Sequence, residues 1–151
     1  MATAVVVDNR GVDRVLQQFF AQRHVPLIHR VNPGDALELL QQGKIPDWII
    51  SDVGNYTRGI DGIAFANIAP GLVGYDTKIL LWSGHFVPGD RNSAIAQKLS
   101  GLYSEGKIDG YTTKIHTVHA GHSMTELLAN PDFTIYAARH GMTVPKRILL
   151  H

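Results

Sequence analysis

Polar side chains that could bind or accept a phosphoryl group follow four apolar stretches of this sequence. They are Asp8 with Asn9, Asp52, Ser83 and Lys114. Two acidic side chains from neighbouring strands can hold a hard divalent cation such as Mg²⁺, which prefers oxygen ligands. A carboxylate exposed at such a site can attack phosphorus and form an aspartyl phosphate. A hydroxyl and an ammonium group opposite it could bind the phosphoryl oxygens and balance their charge.

Buried strands would bring these side chains to one place. Residues 46–52 form an apolar run with Trp48 and two isoleucines that stops at Asp52, a pattern typical of a strand buried on both faces. Functional groups collect beyond the carboxyl ends of the strands in an open parallel sheet, so Asp52 is predicted to lie at that edge. The other predicted strands are residues 4–7, 25–31, 78–82 and 111–113.

Helical patterns separate the predicted strands. Asn32 can cap a helix whose first position is Pro33, and Ala36, Leu39 and Leu40 would form its buried stripe. Apolar residues with helical spacing predict further helices at residues 12–20, 62–67 and 95–102.

Two helix boundaries follow from residue types that favour or oppose a helix. The helix over residues 62–67 is predicted to stop there because Pro70 and Gly71 follow. The last helix, residues 123–130, would open with a capping box formed by its first residue, a serine, and Glu126.

Strands and helices alternate along the chain, which predicts an α/β protein with a parallel sheet and helices on both faces. Residues 1–130 would form this domain, and residues 131–151 a C-terminal extension. The extension carries Phe133, Ile135, Tyr136 and then Leu149-Leu150, so we expect it to pack on the domain or on a partner.

The composition narrows the class of protein. A chain of 151 residues with 44% hydrophobic and 18% charged residues is predicted to form one globular domain. The net charge of +1 and the scattered lysines and arginines argue against binding to nucleic acid or to an acidic membrane. The absence of cysteine excludes thiolate catalysis and Cys-ligated zinc. No charged leader or long apolar run is found, so a cytoplasmic location is predicted.

The polar strand ends and their neighbours resemble the receiver domains of two-component response regulators, the CheY-like superfamily. Several short pieces carry the resemblance in the correct order, over about residues 3–130. They are Val5-Val6-Val7-Asp8-Asn9, Asn32-Pro33-Gly34-Asp35-Ala36-Leu37-Glu38-Leu39-Leu40, Pro46-Asp47-Trp48-Ile49-Ile50-Ser51-Asp52-Val53, Asp61-Gly62, Leu80-Leu81-Trp82-Ser83-Gly84 and Asp109-Gly110-Tyr111-Thr112-Thr113-Lys114.

The resemblance implies a fold and a set of site residues. The fold would be a flavodoxin-like, doubly wound, five-stranded parallel sheet of strand order 2-1-3-4-5. Asp52 would be the phosphoacceptor, while Ser83 and Lys114 would sense the phosphoryl group. Tyr111 would be the aromatic switch residue that swings inward as Ser83 moves. Mg²⁺ would be held by Asp8, by Asp52 and by the backbone carbonyl of Gly54, with Asn9 standing at the position of a further metal ligand.

The resemblance also implies partners. A histidine kinase or a histidine phosphotransfer protein would supply the phosphoryl group, and a downstream protein partner would read the fourth helix, the fifth strand and the tail. The chain would not be an enzyme beyond Mg²⁺-dependent self-phosphorylation and dephosphorylation. Neither nucleic acid nor membrane would be bound directly, and the apolar tail would suit a homodimer.

Departures from the receiver pattern keep an alternative open. Receivers usually carry two adjacent acids after the first strand, and the second is normally the direct metal ligand, where this chain has Asn9. The loop after Asp52 and the stretch from Ser83 to Lys114 are longer than usual, and Ile115 replaces the customary proline. The alternative is a pseudo-receiver, which keeps the fold, is not phosphorylated and acts as a constitutive interaction module.

Two further hypotheses concern other classes of site. His116, His119 and His122 could bind a transition metal, or they could be solvated loop histidines, since Gly121 opposes a regular helix there and no acid completes a ligand set. A flavodoxin-like enzyme or nucleotide binder would need a glycine-rich phosphate loop after a strand, and the sequence has no Gly-x-Gly-x-x-Gly.

Overall fold

Strands and helices alternate along the chain in the computed structural model, which describes residues 2–54, 59–84, 93–114, 121–129, 137–138, 141–143 and 145–149. The strands are β1 (Ala4–Val7), β2 (Leu27–Arg30), β3 (Trp48–Asp52), β4 (Lys78–Ser83) and β5 (Gly110–Thr113). The helices are α1 (Arg14–Gln22), α2 (Pro33–Gln41), α3 (Gly62–Val73), α4 (Ala94–Ser104), α5 (Gly121–Leu128) and α6 (Lys146–Leu149).

The five strands form one parallel sheet in the order β2-β1-β3-β4-β5. This arrangement confirms the predicted α/β class and the strand order 2-1-3-4-5. All carboxyl ends therefore lie at one edge of the sheet, where β1, β3, β4 and β5 are consecutive neighbours in space. None of the described helices is long and apolar enough to cross a membrane.

The sheet is buried on both faces, which explains its continuous apolar runs. Val5, Ile49 and Leu81 point into a cluster with α2, α3 and α4. Val6 and Ile50 point into a second cluster with α1 and α5. Burying one such side chain completely contributes roughly 1.5–3 kcal/mol, so the two clusters fix the register of the strands and with it the position of each strand end.

Side-chain caps set where the helices begin. Asn32 Oδ1 accepts a hydrogen bond of 2.8 Å from the Asp35 amide, so α2 starts as predicted with Pro33 at its first position. Asp61 caps α3 in the same way, by accepting from the Ala64 amide at 2.8 Å. Each cap satisfies a backbone donor that a helix start leaves unpaired.

Helix α3 runs past Pro70 and Gly71 to Val73, so the prediction that it ends after residue 67 is wrong. Ala69 is fully buried and Val73 nearly so, both in the first cluster. A proline inside a helix costs about 3 kcal/mol through one lost hydrogen bond and a clash. The burial of these two side chains offsets that cost, so the helix continues to Val73.

Other boundaries differ from the prediction by a few residues. The second strand is Leu27–Arg30 rather than residues 25–31, and the third starts at Trp48 because Asp47 binds Thr3 outside the ladder. Helix α5 begins at Gly121, so Ser123 lies inside the first turn and is not its cap.

The C-terminal part of the chain is described in short pieces. Met142 packs against both core clusters, and α6 follows near the end. The predictions for Phe133, Ile135 and Tyr136 fall outside the described residues.

Candidate functional site

Lys114 joins two acidic strand ends at the carboxyl edge of the sheet. It follows β5, and its backbone amide donates to the Ser83 carbonyl at 2.8 Å. Its Nζ lies 2.5 Å from Asp8 Oδ2 and 3.3 Å from Asp52 Oδ2. The structure therefore brings together three of the predicted site residues, from β1, β3 and β5.

Backbone contacts orient the Asp8 carboxylate. The Asp8 amide donates to the Arg30 carbonyl at 3.1 Å, which extends the β1–β2 ladder past the end of β1. Asp8 Oδ1 accepts from the Arg10 amide at 2.9 Å, so the other oxygen is left to face Lys114. His29 Nε2 lies 2.7 Å from the Asp8 carbonyl and supports the same turn. Asn9, the next residue, is exposed.

Asp52 is the last residue of β3 and is half-buried. Its Oδ1 accepts from the Gly54 amide at 3.1 Å, and its Oδ2 faces Lys114. The side chain of Asp52 is 14% exposed, compared with 7% for Asp8. Each carboxylate oxygen of Asp52 thus has one polar contact, with the Gly54 amide or with Lys114. Asp52 is the more accessible of the two carboxylates, as a group that attacks phosphorus must be.

Gly62 lets α3 approach the backbone of Asp52 closely. A Cβ at Gly62 would lie 2.4 Å from the Asp52 carbonyl oxygen and 2.6 Å from Val53 Cα. The Gly62 amide donates to the Val53 carbonyl at 2.9 Å, which ties the helix start to the strand end. Asp61-Gly62 is one of the pieces that resemble receiver domains, but the close packing at Gly62 was not predicted from the sequence.

Ser83 and Gly84 complete the edge between Asp52 and Lys114. Ser83 is fully buried at the end of β4 and pairs with Thr113 in the ladder. Gly84 is exposed, and a Cβ added to it would lie 3.9 Å from Lys114 Cβ. The predicted hydroxyl and ammonium groups therefore share this edge, and Gly84, which has no side chain, leaves space beside them.

Tyr111 lies deeper in β5 than the site. It pairs with Leu81, two residues before Ser83, so Tyr111 and Ser83 are on the same face of the sheet. Its half-buried ring meets the ring of Tyr103 edge to face, with centroids 5.7 Å apart. Burial raises the pKa of Tyr103 well above its usual value, and the nearby Tyr111 and Asp109 add to the effect.

The donor set at this edge fits a hard divalent cation. Asp8 and Asp52 bring oxygen ligands within 3.3 Å of one ammonium group, and two carboxylates with one ammonium leave one negative charge. Mg²⁺ binds one or two carboxylates and keeps several waters. Among the described residues, no three histidine, cysteine or acidic side chains cluster around a possible metal position. A cation would therefore need further oxygen ligands, and the residues predicted to provide them are Asn9 and, through its backbone carbonyl, Gly54. The proposed histidine cluster lies outside the described side chains.

Comparisons with known proteins address the fold. No protein-family profile and no curated protein sequence matches the chain. Solved structures do match. A CheY-like receiver domain protein from Methanospirillum hungatei is 13% identical, with 85% of this chain and 91% of that chain covered and a TM-score of 0.63. A chemotaxis response regulator of Vibrio cholerae is 17% identical, with coverage of 85% and 98% and a TM-score of 0.59.

A third neighbour is a response regulator protein from Burkholderia pseudomallei. Its structure is described with a phosphorylated aspartic acid, a calcium ion and citrate. It is 17% identical, covers 92% of this chain and 72% of its own, and has a TM-score of 0.65. The chain has the fold of a response regulator receiver domain.

Within the receiver fold, one contact at the site was not predicted from the sequence. Lys114 Nζ lies 4.7 Å from the centroid of the Trp82 ring, which is 1% exposed and pairs with Asp52 in the ladder. An ammonium group over an indole face is attracted by the ring quadrupole. From the sequence, Trp82 is only part of the predicted strand over residues 78–82, because nothing in the sequence shows which strand residues flank Lys114.

Proposed function

We propose that this chain is a receiver domain of two-component signalling in which Asp52 accepts a phosphoryl group. The observation that carries the proposal is the position of the Lys114 ammonium, which is within 3.3 Å of the carboxylates of both Asp8 and Asp52. The ammonium of a lysine can move from these carboxylates to phosphoryl oxygens, and a divalent cation bound at the excess negative charge would offset the charge of the incoming anion.

The proposed reaction is a transfer between two side chains. One oxygen of Asp52 attacks the phosphorus of a phosphohistidine on a histidine kinase or a histidine phosphotransfer protein. An O–P bond forms as the P–N bond breaks, and the leaving imidazole nitrogen keeps the bonding electron pair and takes a proton from solvent. Lys114 moves its contacts from the carboxylates to the phosphoryl oxygens, and the Ser83 hydroxyl donates to another of those oxygens.

Mg²⁺ is the cofactor we propose, held by Asp8, Asn9, Asp52 and the carbonyl of Gly54. A bound cation would neutralise charge that develops as the phosphoryl group arrives. The remaining negative charge of the Asp8, Asp52 and Lys114 cluster supports cation binding there. The calcium ion and phosphorylated aspartic acid described for the Burkholderia pseudomallei neighbour support the same proposal.

Output is proposed to go through protein contacts rather than catalysis. Ser83 and Tyr111 lie on one face of the sheet, and Tyr111 contacts Tyr103 of α4. A shift of Ser83 towards a phosphoryl group would therefore be felt by α4 and β5, which would present a changed surface to a downstream protein partner or to a second copy. We propose no direct binding to nucleic acid or membrane, and a location in the cytoplasm.

Beryllofluoride binding tests the site without a cognate kinase. With Mg²⁺ present, beryllofluoride should change the fluorescence of Trp82, because the ammonium beside its ring would move to the new anion. The change should need Mg²⁺ and vanish in Asp52→Asn. Asp47→Asn is a matched control, because Asp47 directly precedes the same strand at its opposite end. A response in Asp52→Asn equal to that of wild type would refute the proposal.

The pseudo-receiver remains the second candidate, and the exposed Asn9 favours it. An amide in place of a carboxylate removes one negative charge from the cation site, which weakens the attraction for Mg²⁺. This candidate predicts no fluorescence response to beryllofluoride in wild type and unchanged partner binding in Asp52→Asn.

A further inference from the structure

Arg147 of α6 is anchored in the core at the amino edge of the sheet. Its side chain is 1% exposed although it comes from the C-terminal part of the chain. The guanidinium Nε donates to Asp109 Oδ2 at 3.1 Å, and Nη2 donates to the carbonyls of Thr77, at 3.1 Å, and Gly74. Its carbon Cζ lies 5.0 Å from the centroid of the Tyr75 ring. One side chain thus meets a carboxylate, two carbonyls and an aromatic ring.

The receptor for this guanidinium belongs to the sheet itself. Asp109 Oδ2 also accepts from the Ile79 amide at 2.7 Å, and the Asp109 amide donates to the Ile79 carbonyl at 2.8 Å. Thr77 is held by its own hydroxyl, which donates to the Pro46 carbonyl at 2.6 Å. Asp109 and Thr77 are therefore held in place by contacts that do not involve Arg147. The arginine side chain binds to acceptors that the sheet already positions.

A second anchor lies on α4. The Tyr103 hydroxyl donates to the Thr143 carbonyl at 2.6 Å, and Tyr103 is itself buried. Met142, the residue before Thr143, packs against both core clusters. We call residues 142–143 and 145–147 the strap. It is held to the domain by one side chain at each end and by Met142.

The second anchor is in contact with the proposed switch residue. The Tyr103 ring, whose hydroxyl holds the strap, meets the Tyr111 ring edge to face at an interplanar angle of 76°. Edge-to-face aromatic pairs contribute stability beyond the burial of their surface. Movement of Tyr111 therefore changes the surroundings of the ring that holds Thr143.

We propose that the C-terminal end of α4 and the amino edge of β4 and β5 form a binding surface whose occupant is the strap of the same chain, and that the strap loosens when Asp52 is phosphorylated. The docking rests on the contacts of Arg147, Tyr103 and Met142 and does not depend on the proposed function. The coupling rests on the proposed function, because it needs Tyr111 to leave its contact with Tyr103 when the site is filled. Since coupling between two sites is reciprocal, a loosened strap should also favour the filled site.

Hydrogen exchange of the strap amides in the full chain tests the docking. Tyr103→Phe removes one hydroxyl and keeps the ring pair, so exchange at residues 142–143 should rise while β1 and β3 stay protected. Tyr75→Phe is the matched control, because its exposed ring would still face Arg147, and strap exchange should stay unchanged. Arg147→Lys keeps the charge but loses the planar fork, so exchange should rise at residues 146–147. Unchanged strap exchange in both Tyr103→Phe and Arg147→Lys would overturn the docking.

Beryllofluoride with Mg²⁺ tests the coupling in the same assay. Strap exchange in wild type should rise by about fivefold or more, the lower end of usual coupling between sites, and Asp52→Asn should show no rise. If Trp82 fluorescence reports binding while strap exchange is constant, the coupling is wrong and the proposed function stands. If beryllofluoride does not bind, the coupling fails together with the proposed function, and the docking is still decided by Tyr103→Phe.

Discussion

Each edge of the sheet brings acidic and basic side chains into contact, but the two contacts differ in the number of acids and in burial. At the carboxyl edge, one ammonium of Lys114 is shared by Asp8 and Asp52, and the three side chains are 7–19% exposed. At the amino edge, the guanidinium of Arg147 meets one carboxylate, that of Asp109, and both side chains are 1% exposed.

The difference separates a site from a structural contact. At the amino edge, the Arg147 guanidinium faces the Asp109 carboxylate, and the carbonyls of Gly74 and Thr77 accept from the same guanidinium, as expected for a buried structural contact. The carboxyl edge has one negative charge in excess, has partial access to solvent, and uses a lysine, whose point charge and flexible stem can change partners. The residue types are similar, and burial and stoichiometry decide their roles.

The largest expected effect comes from breaking the buried pair. Arg147→Met should lower the free energy of unfolding by about 3–5 kcal/mol, because it leaves the Asp109 carboxylate buried without a partner charge. Urea unfolding followed by circular dichroism measures this loss. Lys114→Met is the comparison at the other edge and should cost clearly less, since its carboxylates reach water. Equal losses would mean that the two edges do not differ as described.

A smaller effect tests how tightly the carboxyl edge is built. Gly62→Ala should destabilise the protein by about 1–3 kcal/mol, because the new methyl group overlaps the Asp52 carbonyl and a backbone shift is required. Gly71→Ala in the same helix is the control, since a Cβ there meets nothing within 4 Å. That control should be stabilising by roughly 0.5–1 kcal/mol. If the two substitutions change the free energy of unfolding equally, α3 does not approach Asp52 as closely as described.

Adding charge at the carboxyl edge should strengthen cation binding. Asn9→Asp places a third carboxylate beside Asp8 and should improve Mg²⁺ binding by about 1–2 kcal/mol, as expected for a charge contact partly exposed to water. Titration with Mg²⁺, followed by Trp fluorescence, measures the change. Asn32→Asp is the same substitution at the cap of α2 and should leave Mg²⁺ binding as it is. If Asn9→Asp binds Mg²⁺ with the same affinity as wild type, Asn9 is not part of the cation site.

The smallest effect is a pH dependence at the amino edge. Burial raises the pKa of Asp109 above the value of 3.8, although Arg147 and the Ile79 amide act in the opposite direction. The folded state therefore binds a proton at Asp109 more readily than the unfolded state does. The stability of wild type relative to Asp109→Asn should thus be highest below pH 3.8 and decline as the pH rises through the folded pKa. Unfolding of both proteins at several pH values measures this trend, and a difference that grows with pH would contradict it.

Much of the fold and part of the site followed from the sequence for a physical reason. Strands buried on both faces must be apolar throughout, so a polar residue such as Asp52 marks where a strand leaves the core. Position after a strand was therefore enough to predict that Asp8, Asp52 and Lys114 lie at one edge of the sheet, although their mutual distances came only from the structure.

Contacts between distant parts of the chain could not be predicted in the same way. Arg147 and Asp109 are 38 residues apart, and no periodic pattern connects an arginine near the C-terminus to an acid before β5. The extension of α3 past Pro70 depends on the burial of Ala69 and Val73, which outweighs the local preference of proline. The close packing at Gly62 likewise depends on where α3 starts relative to β3.

The central claim is that Asp52 is the residue that accepts a phosphoryl group, and mapping that group by mass spectrometry tests it most directly. The protein would be incubated with a small phosphodonor, with and without Mg²⁺, and the modified peptide identified. We predict a gain of one phosphoryl group on Asp52 that requires Mg²⁺, is retained in Asp47→Asn and is lost in Asp52→Asn. No gain in wild type, or an equal gain in Asp52→Asn, would contradict the account.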